Sequence, residues 1–199
     1  VVFDDLRVPD KLTLQYINKV FTEIYDAWNS DTFFSLIKAF ELPTNNQIKT
    51  FSRGMRMKAA LTIALSHDAK LLILDEATAG MDVSGREHVL EILEDYLGDD
   101  RAILISSHIS EDIEQLATQL VFMRDGRIIL KESKEVLLSQ YGIIDQPVEH
   151  FNISNEYLIA TRRRNDRQIS LVNNYQKVPD AQPLKTIDDA TKIIMRGEV

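Results

Sequence analysis

The sequence predicts an α/β fold built around a largely parallel β-sheet. Two short apolar runs, Lys70–Asp75 and Ala102–Ser106, each precede a stretch with helical spacing of apolar residues. Continuous apolar runs of this length are typical of buried parallel strands, and strands that alternate with helices are typical of α/β proteins. The 44% hydrophobic and 27% charged residues are also typical of a globular protein.

The elements around these runs follow from local signals. Residues 11–42 contain no Gly or Pro and show helical spacing, which indicates a small helical insert, and Ser30 or Asp31 is the expected cap of its second helix. Ser52 is the expected N-cap of a largely buried helix that runs to about residue 66. Further helices are predicted over 84–97 and 110–117. The Asp-Gly pair at 125–126 predicts a β-hairpin turn.

From about residue 150 the pattern changes to short runs separated by polar turns. It predicts a small α+β appendage, which either caps the sheet or serves in dimerisation or regulation. Its charge is positive, with eight Lys or Arg against six Asp or Glu, whereas residues 1–149 carry a net charge of −10. The basic cluster Arg162–Arg164 with Arg167 is interpreted as a solvated strand or turn, with a contact to lipid headgroups or an acidic partner as the alternative.

Composition excludes several classes of protein. The chain has no cysteine, which rules out disulfides, thiolate catalysis and cysteine-ligated zinc. Its apolar runs are too short to span a bilayer and no signal peptide opens it, so we predict neither a transmembrane nor a secreted protein. The formal net charge of −8 argues against nucleic acid as the main partner, because phosphate contacts need clustered Lys and Arg.

Carboxylates and a histidine follow the two predicted strands. Asp75 and Glu76 stand at the end of the first strand, and His108 follows the second strand and two serines. Ligands of open α/β sheets bind beyond the carboxyl ends of the strands. There one acid can hold Mg²⁺, a second can orient or deprotonate water, and a neutral imidazole can contact a phosphate oxygen. Each feature alone also suits an ordinary solvated strand end.

Two further segments carry small and polar residues at predicted helix starts. Ser52 and Gly54 combine a hydroxyl, a glycine amide and a helix N-terminus, which together can bind an anion. The simpler interpretation is that Ser52 only caps its helix. Ala79–Asp82 forms a short turn soon after the two acids, and Asp82 or Ser84 would equally serve there as a helix cap.

In their order along the chain these features resemble the ATP-binding-cassette (ABC) ATPases. Phe51–Met55 (FSRGM) resembles the family's signature motif, usually LSGGQ. Leu71–Glu76 resembles the Walker B strand with its catalytic glutamate. Ala79–Asp82 resembles the D-loop, and His108 resembles the switch histidine.

The resemblance implies a fold and a division into domains. The fold would be a P-loop NTPase-like ABC ATPase with a parallel sheet core, an α-helical subdomain over about residues 11–68 and a small C-terminal α+β appendage. A partial ABC ATPase domain would take up residues 1–149, and the appendage would take up residues 150–199.

The resemblance also implies roles for the residues at the strand ends. Asp75 would hold Mg²⁺, and Glu76 would be the general base or would position water for attack on the γ-phosphate of ATP. His108 would contact that phosphate. Phosphoryl transfer of this kind depends mostly on positioning and on stabilisation of charge.

The same resemblance makes the site composite. Ser52 and Gly54 would contact the γ-phosphate of ATP held by a second ABC ATPase subunit, in a homodimer or a heterodimer. Asp82 would lie at the interface between the two subunits. A monomer is therefore expected to hydrolyse ATP poorly.

The sequence departs from the family pattern at several positions. Arg53 and Met55 replace Gly and Gln of the usual signature, and Ala77 replaces the usual Pro. Asp4 stands where the family has the glutamine of its Q-loop, and an acid there can still accept a hydrogen bond from a metal-bound water. These variants and the Arg196–Glu198 ending resemble a bacterial exporter-type subgroup that pairs with a separately encoded permease.

One family motif does not occur in the sequence. It is the phosphate-binding loop G-x-x-x-x-G-K-[ST], whose amides and lysine hold nucleotide phosphates. Val1–Phe3 is typical of the end of a strand already under way, and the chain begins with Val rather than Met. We therefore expect the C-terminal portion of an ABC ATPase, and we expect these 199 residues alone neither to bind ATP tightly nor to turn it over.

The leading hypothesis is an ATPase that uses ATP and Mg²⁺ in a dimer to drive export through a transmembrane permease. It would lie at the cytoplasmic face of the cell membrane and would meet the permease around Asp4–Lys19. One alternative is a non-transport ABC ATPase of translation or DNA repair, which a second cassette, coiled-coil arms or a basic face would mark. The other is a non-catalytic, truncated interaction protein. The permease, not this chain, would select the substrate.

Overall fold

The two predicted apolar runs form neighbouring parallel strands. In the computed structural model, which describes residues 1–198, β1 (Leu71–Asp75) pairs with β2 (Ala102–Ser106). The register places Asp75 directly opposite Ser106. The prediction of two parallel strands is thereby confirmed, and the residues that follow both strands lie at the same edge of the sheet.

The start of the chain adds a third parallel segment. Val2 bridges Leu74, donates its N–H to the carbonyl oxygen of Ile73 at 2.8 Å and accepts a hydrogen bond from the amide of Asp75 at 2.9 Å. The strand-like start predicted for residues 1–3 is confirmed. Asp4 therefore leaves the sheet at the same edge as Glu76 and His108.

Only one face of this sheet is buried. Leu72 and Leu74 are each 1% exposed and belong to the hydrophobic core, whereas Leu71 is 53% and Leu104 is 60% exposed. The expectation of fully buried strands is wrong because side chains alternate along a strand and the core covers one face. A parallel sheet normally has both faces covered.

Helices in Val1–Leu116, the first of two compact units, make up the rest of this core. Four of them begin at a polar cap whose side chain accepts a hydrogen bond from the backbone N–H three residues later. The helices are α1 (Leu14–Ile24), α2 (Ser30–Ala39), α3 (Arg53–Leu65), α4 (Val83–Tyr96) and α5 (Ser110–Leu116).

The helical insert packs into the same core as the strands. Ile17 and Phe33 have no exposed surface and cluster with Leu61 of α3 and Leu72 of β1. The cap of α2 differs from the prediction: Asn29, not Ser30 or Asp31, has the extended backbone, and its Oδ1 accepts from the amide of Thr32 at 2.8 Å.

The second unit, Ala117–Val199, begins with the predicted hairpin. Strands β3 (Gln119–Arg124) and β4 (Arg127–Ser133) pair antiparallel. Asp125 and Gly126 have φ values of 51° and 74°. Two successive positive φ angles define the type I′ turn that suits the twist of a hairpin, so the predicted hairpin turn at the Asp-Gly pair is confirmed.

The remainder of this unit is an antiparallel sheet with two helices. Its elements are α6 (Lys134–Gln140), β5 (Gly142–Pro147), β6 (Leu158–Arg164), β7 (Arg167–Val172), β8 (Gln182–Pro183) and α7 (Ile187–Arg196). The strand order in the sheet is β6-β7-β5-β8. The exposed Arg163, Arg164 and Arg167 lie at the tip of the β6–β7 hairpin, where the sequence pattern places a solvated strand or turn.

The division into units falls between Leu116 and Ala117, earlier than the predicted boundary at residues 149 and 150. β5 hydrogen-bonds to β7 from Gly142 to Pro147, so a division at 149/150 would separate neighbouring strands of one sheet. Such pairing is long-range and leaves no local signal. The extent of the family domain itself stays a prediction. Within residues 1–198 no helix has the length and apolar character needed to cross a membrane.

Candidate functional site

The carboxyl edge of the parallel strands gathers three of the predicted residues. Ser106 Oγ donates to Asp75 Oδ1 at 2.6 Å, and the amide of Glu76 donates to the carbonyl oxygen of Ser106 at 3.1 Å. His108 follows two residues after Ser106. The parallel register thus places the side chains of Asp75, Glu76 and His108 beside one another, as the sequence predicts.

Glu76 and His108 touch directly. The Glu76 carboxylate accepts a hydrogen bond from His108 Nδ1, which requires the proton on that nitrogen. Glu76 has a φ of 53°, a left-handed conformation that costs a non-glycine residue about 1–2 kcal/mol. Its side chain is 31% exposed and that of His108 is 71% exposed. Water can therefore reach a carboxylate whose position is held by an imidazole.

Asp75 fits Mg²⁺ as a single protein ligand. One of its oxygens receives the Ser106 hydroxyl, and the residue is exposed at the strand end. Residues 1–198 contain no group of three or more His, Cys, Asp or Glu side chains able to hold a metal ion. Mg²⁺ bound with nucleotides takes one or two carboxylates and fills its other positions with phosphate oxygens and water. A lone carboxylate suits that arrangement and does not suit a protein-only cage.

The FSRGM segment forms the start of α3. Ser52 is its N-cap and accepts from the amide of Met55 at 3.3 Å, so the simpler of the two interpretations of Ser52 is realised in the fold. Ser52 is also exposed, which leaves the positive end of the helix dipole open to an anion. The capping role and an anion-binding role are therefore compatible.

This segment lies against the Ala79–Asp82 turn. A Cβ added to Gly54 would lie 3.5 Å from the carbonyl oxygen of Gly80, and a Cβ added to Gly80 would lie 2.9 Å from Cδ of Arg53. Gly80 has a φ of 80°, which favours glycine. Asp82 caps α4, accepting from the amide of Gly85 at 3.0 Å. The signature-like segment and the D-loop-like turn are thus neighbours.

Asp4 is exposed and stands apart from these contacts. Among residues 1–198, no hydrogen bond or ion pair joins it to Asp75, Glu76 or His108. Its neighbours are held by Arg56 of α3, which donates to Asp5 Oδ1 at 2.7 Å and to Asp10 at 2.9 Å. The hydrogen bond from Arg56 holds the pKa of Asp5 below its ordinary value near 3.8.

Replacing Arg56 by Ala is expected to lower the free energy of unfolding by about 1–2 kcal/mol at pH 7, a figure reduced for screening because Asp5 is 58% exposed. Since the pKa of Asp5 is lowered in the fold, this stabilisation is complete above the unfolded pKa and is lost as pH falls through the folded one. Urea unfolding at pH 7 and pH 3, followed by Trp28 fluorescence, measures it.

The Lys19→Ala variant is the matched control, since it removes a cation from the exposed surface of α1. It is expected to change the free energy of unfolding by less than about 0.5 kcal/mol. If the loss of unfolding free energy in Arg56→Ala were larger at pH 3 than at pH 7, it would contradict the pairing of Arg56 with Asp5.

Sequence patterns did not single out every residue of the site. Ser106 donates a hydrogen bond to Asp75, and the buried Asp112 of α5 accepts hydrogen bonds from Thr78 and Ser107. The sequence patterns predict no role for Ser106 or Asp112. One signal was present for Asp112. It lies four residues before the buried Leu116, so it occupies an apolar helix face with a charged side chain.

Comparison with known proteins finds similarity to ABC transporter proteins. A family profile for ABC transporters matches residues 3–79. The lantibiotic transport ATP-binding protein SrtF of Streptococcus pyogenes is 37% identical over 116 residues, which make up 58% of this chain and 47% of that protein. The chain therefore spans about half the length of this relative.

Solved structures show the same fold. An ATP-binding subunit of an ABC transporter matches with a TM-score of 0.61 and 22% identity over 68% of this chain and 59% of that one. A dimeric ATP-binding cassette in a post-hydrolysis state, bound to ADP and Pi, matches with a TM-score of 0.58 and 18% identity over 66% of this chain and 61% of that one.

The fold is that of the P-loop NTPases, as the structural neighbours show. Within that class, the profile match over residues 3–79, the relatives and the structural neighbours support part of an ABC transporter nucleotide-binding domain. The matched residues include Ser52, Gly54, Asp75 and Glu76, whereas His108 lies beyond them.

Proposed function

We propose that this chain is part of an ATP-hydrolysing subunit of a membrane transporter. The observation that carries the proposal is the contact between Glu76 and His108 beside Asp75, at the carboxyl edge of parallel strands. An acid held by a histidine next to a Mg²⁺-type ligand can position water for attack on a phosphate and accept its proton.

Each of these side chains would have a distinct task. Asp75 would hold Mg²⁺, which supplies neutralisation of phosphate charge when bound. Glu76 would orient the attacking water and accept its proton. His108 would hold the Glu76 carboxylate through Nδ1–H and, as the imidazolium, would donate from its other ring nitrogen to a γ-phosphate oxygen. Asp4, at the same edge, would accept a hydrogen bond from a metal-bound water.

The remaining predicted residues would act on a second subunit. The exposed start of α3, with Ser52 and Gly54, offers a hydroxyl and amides to the γ-phosphate of ATP held by that subunit, and Asp82 would lie at their interface. The closeness of Gly54 to Gly80 supports this proposal, because the start of α3 and the Ala79–Asp82 turn are then neighbours. The likeness to a dimeric cassette bound to ADP and Pi supports the dimer.

The partner would be a transmembrane permease, and the direction of transport would be export. The name of SrtF, which assigns that protein to lantibiotic transport, supports a role in transport. The segment around Asp4–Lys19, with Phe3 and Tyr16 exposed, would meet the permease at the cytoplasmic face of the cell membrane. Because no phosphate-binding loop occurs in the 199 residues, we expect turnover only in a complete subunit, meaning this chain joined to such a loop.

A charge at the start of α3 tests the proposal. Ser52→Asp keeps an N-cap acceptor but places a negative charge where the γ-phosphate would bind. In the complete subunit it is expected to raise the MgATP concentration for half-maximal dimerisation at least about tenfold, because like charges repel. Size-exclusion chromatography coupled to light scattering, at graded MgATP, measures the effect.

The matched control is Asn29→Asp, which adds the same charge at the N-cap of α2. It should leave dimerisation and ATP hydrolysis unchanged. If the wild-type complete subunit binds no MgATP, or if both variants dimerise like wild type, the proposed function is wrong.

A further inference from the structure

One buried carboxylate lies outside the proposed catalytic set. Asp112 of α5 has no exposed surface. A carboxylate is retained away from water only where charged or hydrogen-bonding partners compensate for the lost hydration. Its partners therefore indicate what keeps it there.

One oxygen of Asp112 joins the two loops of the site. Oδ2 accepts hydrogen bonds from Thr78 Oγ1 and, at 3.1 Å, from Ser107 Oγ. Thr78 lies in the turn that follows Glu76, which is closed by a hydrogen bond from the amide of Ala79 to the carbonyl oxygen of Glu76 at 3.0 Å. Ser107 directly precedes His108.

The Ser107 hydroxyl carries the link further. It accepts from the amide of Ile109 at 3.0 Å, so the peptide segment on both sides of His108 is tied to the same carboxylate. The Thr78 hydroxyl ties the turn of Glu76 to it as well. A single buried oxygen thus accepts hydrogen bonds from both of the loops whose side chains meet as Glu76 and His108.

The second oxygen faces α4. Asp112 Oδ1 lies 3.5 Å from Nε of Arg86, whose side chain is 24% exposed. Among residues 1–198 neither atom has a hydrogen-bond partner, so they interact as an ion pair at a distance. Arg86 lies in α4, which begins directly after Asp82, so the ion pair also connects Asp112 to the helix that follows the D-loop-like turn.

We propose that Asp112 is a positioning residue that holds the Glu76 turn and the His108 loop at the separation their contact requires. The inference rests on the proposed function for its catalytic consequence, but its structural content is independent of nucleotide. Asp112→Asn would lose the charge that faces Arg86, and its single amide oxygen would accept only neutral, weaker hydrogen bonds from Thr78 and Ser107. The two loops would then be held less firmly at that separation.

Hydrogen exchange on the 199-residue chain tests the structural content. In Asp112→Asn the amides of Ala79 and Ile109 are expected to exchange on the order of tenfold faster, while those of α1 and α3 keep their rates. Thr78→Val removes one link without touching the buried charge and should accelerate the Ala79 amide alone, whereas Thr78→Ser should restore it. Glu111→Gln, an exposed acid-to-amide change on the same helix, should alter none of them.

Steady-state kinetics of the complete subunit test the consequence. Asp112→Asn should lower kcat by about 10–100-fold with the KM for ATP within about threefold, because misplaced groups slow the chemical step without weakening nucleotide binding. Faster exchange throughout the first unit, or no change at Ala79 and Ile109, would overturn the proposal. A wild-type subunit without ATPase activity would instead refute the proposed function, and the exchange data would still decide on Asp112.

Discussion

The Glu76→Gln variant of the complete subunit is expected to lose ATP turnover by about 10²–10⁴-fold while it continues to bind MgATP. Glutamine keeps the size of the side chain and can still accept from His108 Nδ1 through its amide oxygen, so the geometry of the contact is preserved. What it loses is the ability to accept a proton from the attacking water. Phosphate release and equilibrium nucleotide binding, measured side by side, separate the two effects.

Retained binding has a second consequence for this variant. If hydrolysis is what separates two subunits that share ATP, the Gln variant should accumulate as a dimer under MgATP, whereas wild type should return to monomer as ATP is consumed. Glu91→Gln, on the exposed side of α4, makes the same chemical change away from the site and should behave as wild type. Turnover by Glu76→Gln within about threefold of wild type would remove Glu76 from the role of base.

Gly142→Ala is expected to destabilise the second unit by about 3 kcal/mol. A Cβ at this position would lie 2.4 Å from Cβ of Tyr175 and 2.5 Å from the backbone oxygen of Gln182. Gly142 is paired on both sides, with Val172 of β7 and Pro183 of β8, so the strand cannot move away from one neighbour without approaching the other. One methyl group would therefore force the sheet apart.

Urea unfolding followed by far-UV circular dichroism, with hydrogen exchange of β5 and β7, measures this loss. The single tryptophan, Trp28, belongs to the first unit, so its fluorescence is an internal reference that should not shift. Gly98→Ala is the control, because nothing lies within 4 Å of the added Cβ. An unchanged unfolding midpoint for Gly142→Ala would show that β8 is not held against β5 in solution.

Much of the candidate site could be predicted from short sequence patterns. An apolar run that ends in Asp75 and Glu76, and a second that leads to His108, must place these residues at one edge if both strands are parallel. The N-caps Ser52 and Asp82 were likewise recognisable, since a capping side chain acts within its own helical turn. These inferences need only the spacing of apolar and capping residues over a few positions and the rule that ligands bind at the carboxyl edge of parallel strands.

Other features could not be predicted this way. The bond from Ser106 to Asp75 spans 31 positions and that from Thr78 to Asp112 spans 34, and both depend on the register between distant segments. The exposure of Leu71 depends on which face the helices cover, although its apolar run is that of a buried strand. A pattern of residue types does not specify which distant segments pair or which face of a sheet the helices cover.

The amino-acid sequence by itself determined β1, β2, the helices of the first unit, the Asp-Gly turn and the residues that follow the two parallel strands, because each depends on neighbours within a few positions. Only the tertiary structure decided that the division falls before β3, that Asn29 and not Ser30 caps α2, and that Asp112 joins the loops of Glu76 and His108. The physical reason is that strand pairing, cap geometry and buried hydrogen bonds depend on the positions of atoms, which the packed fold alone fixes.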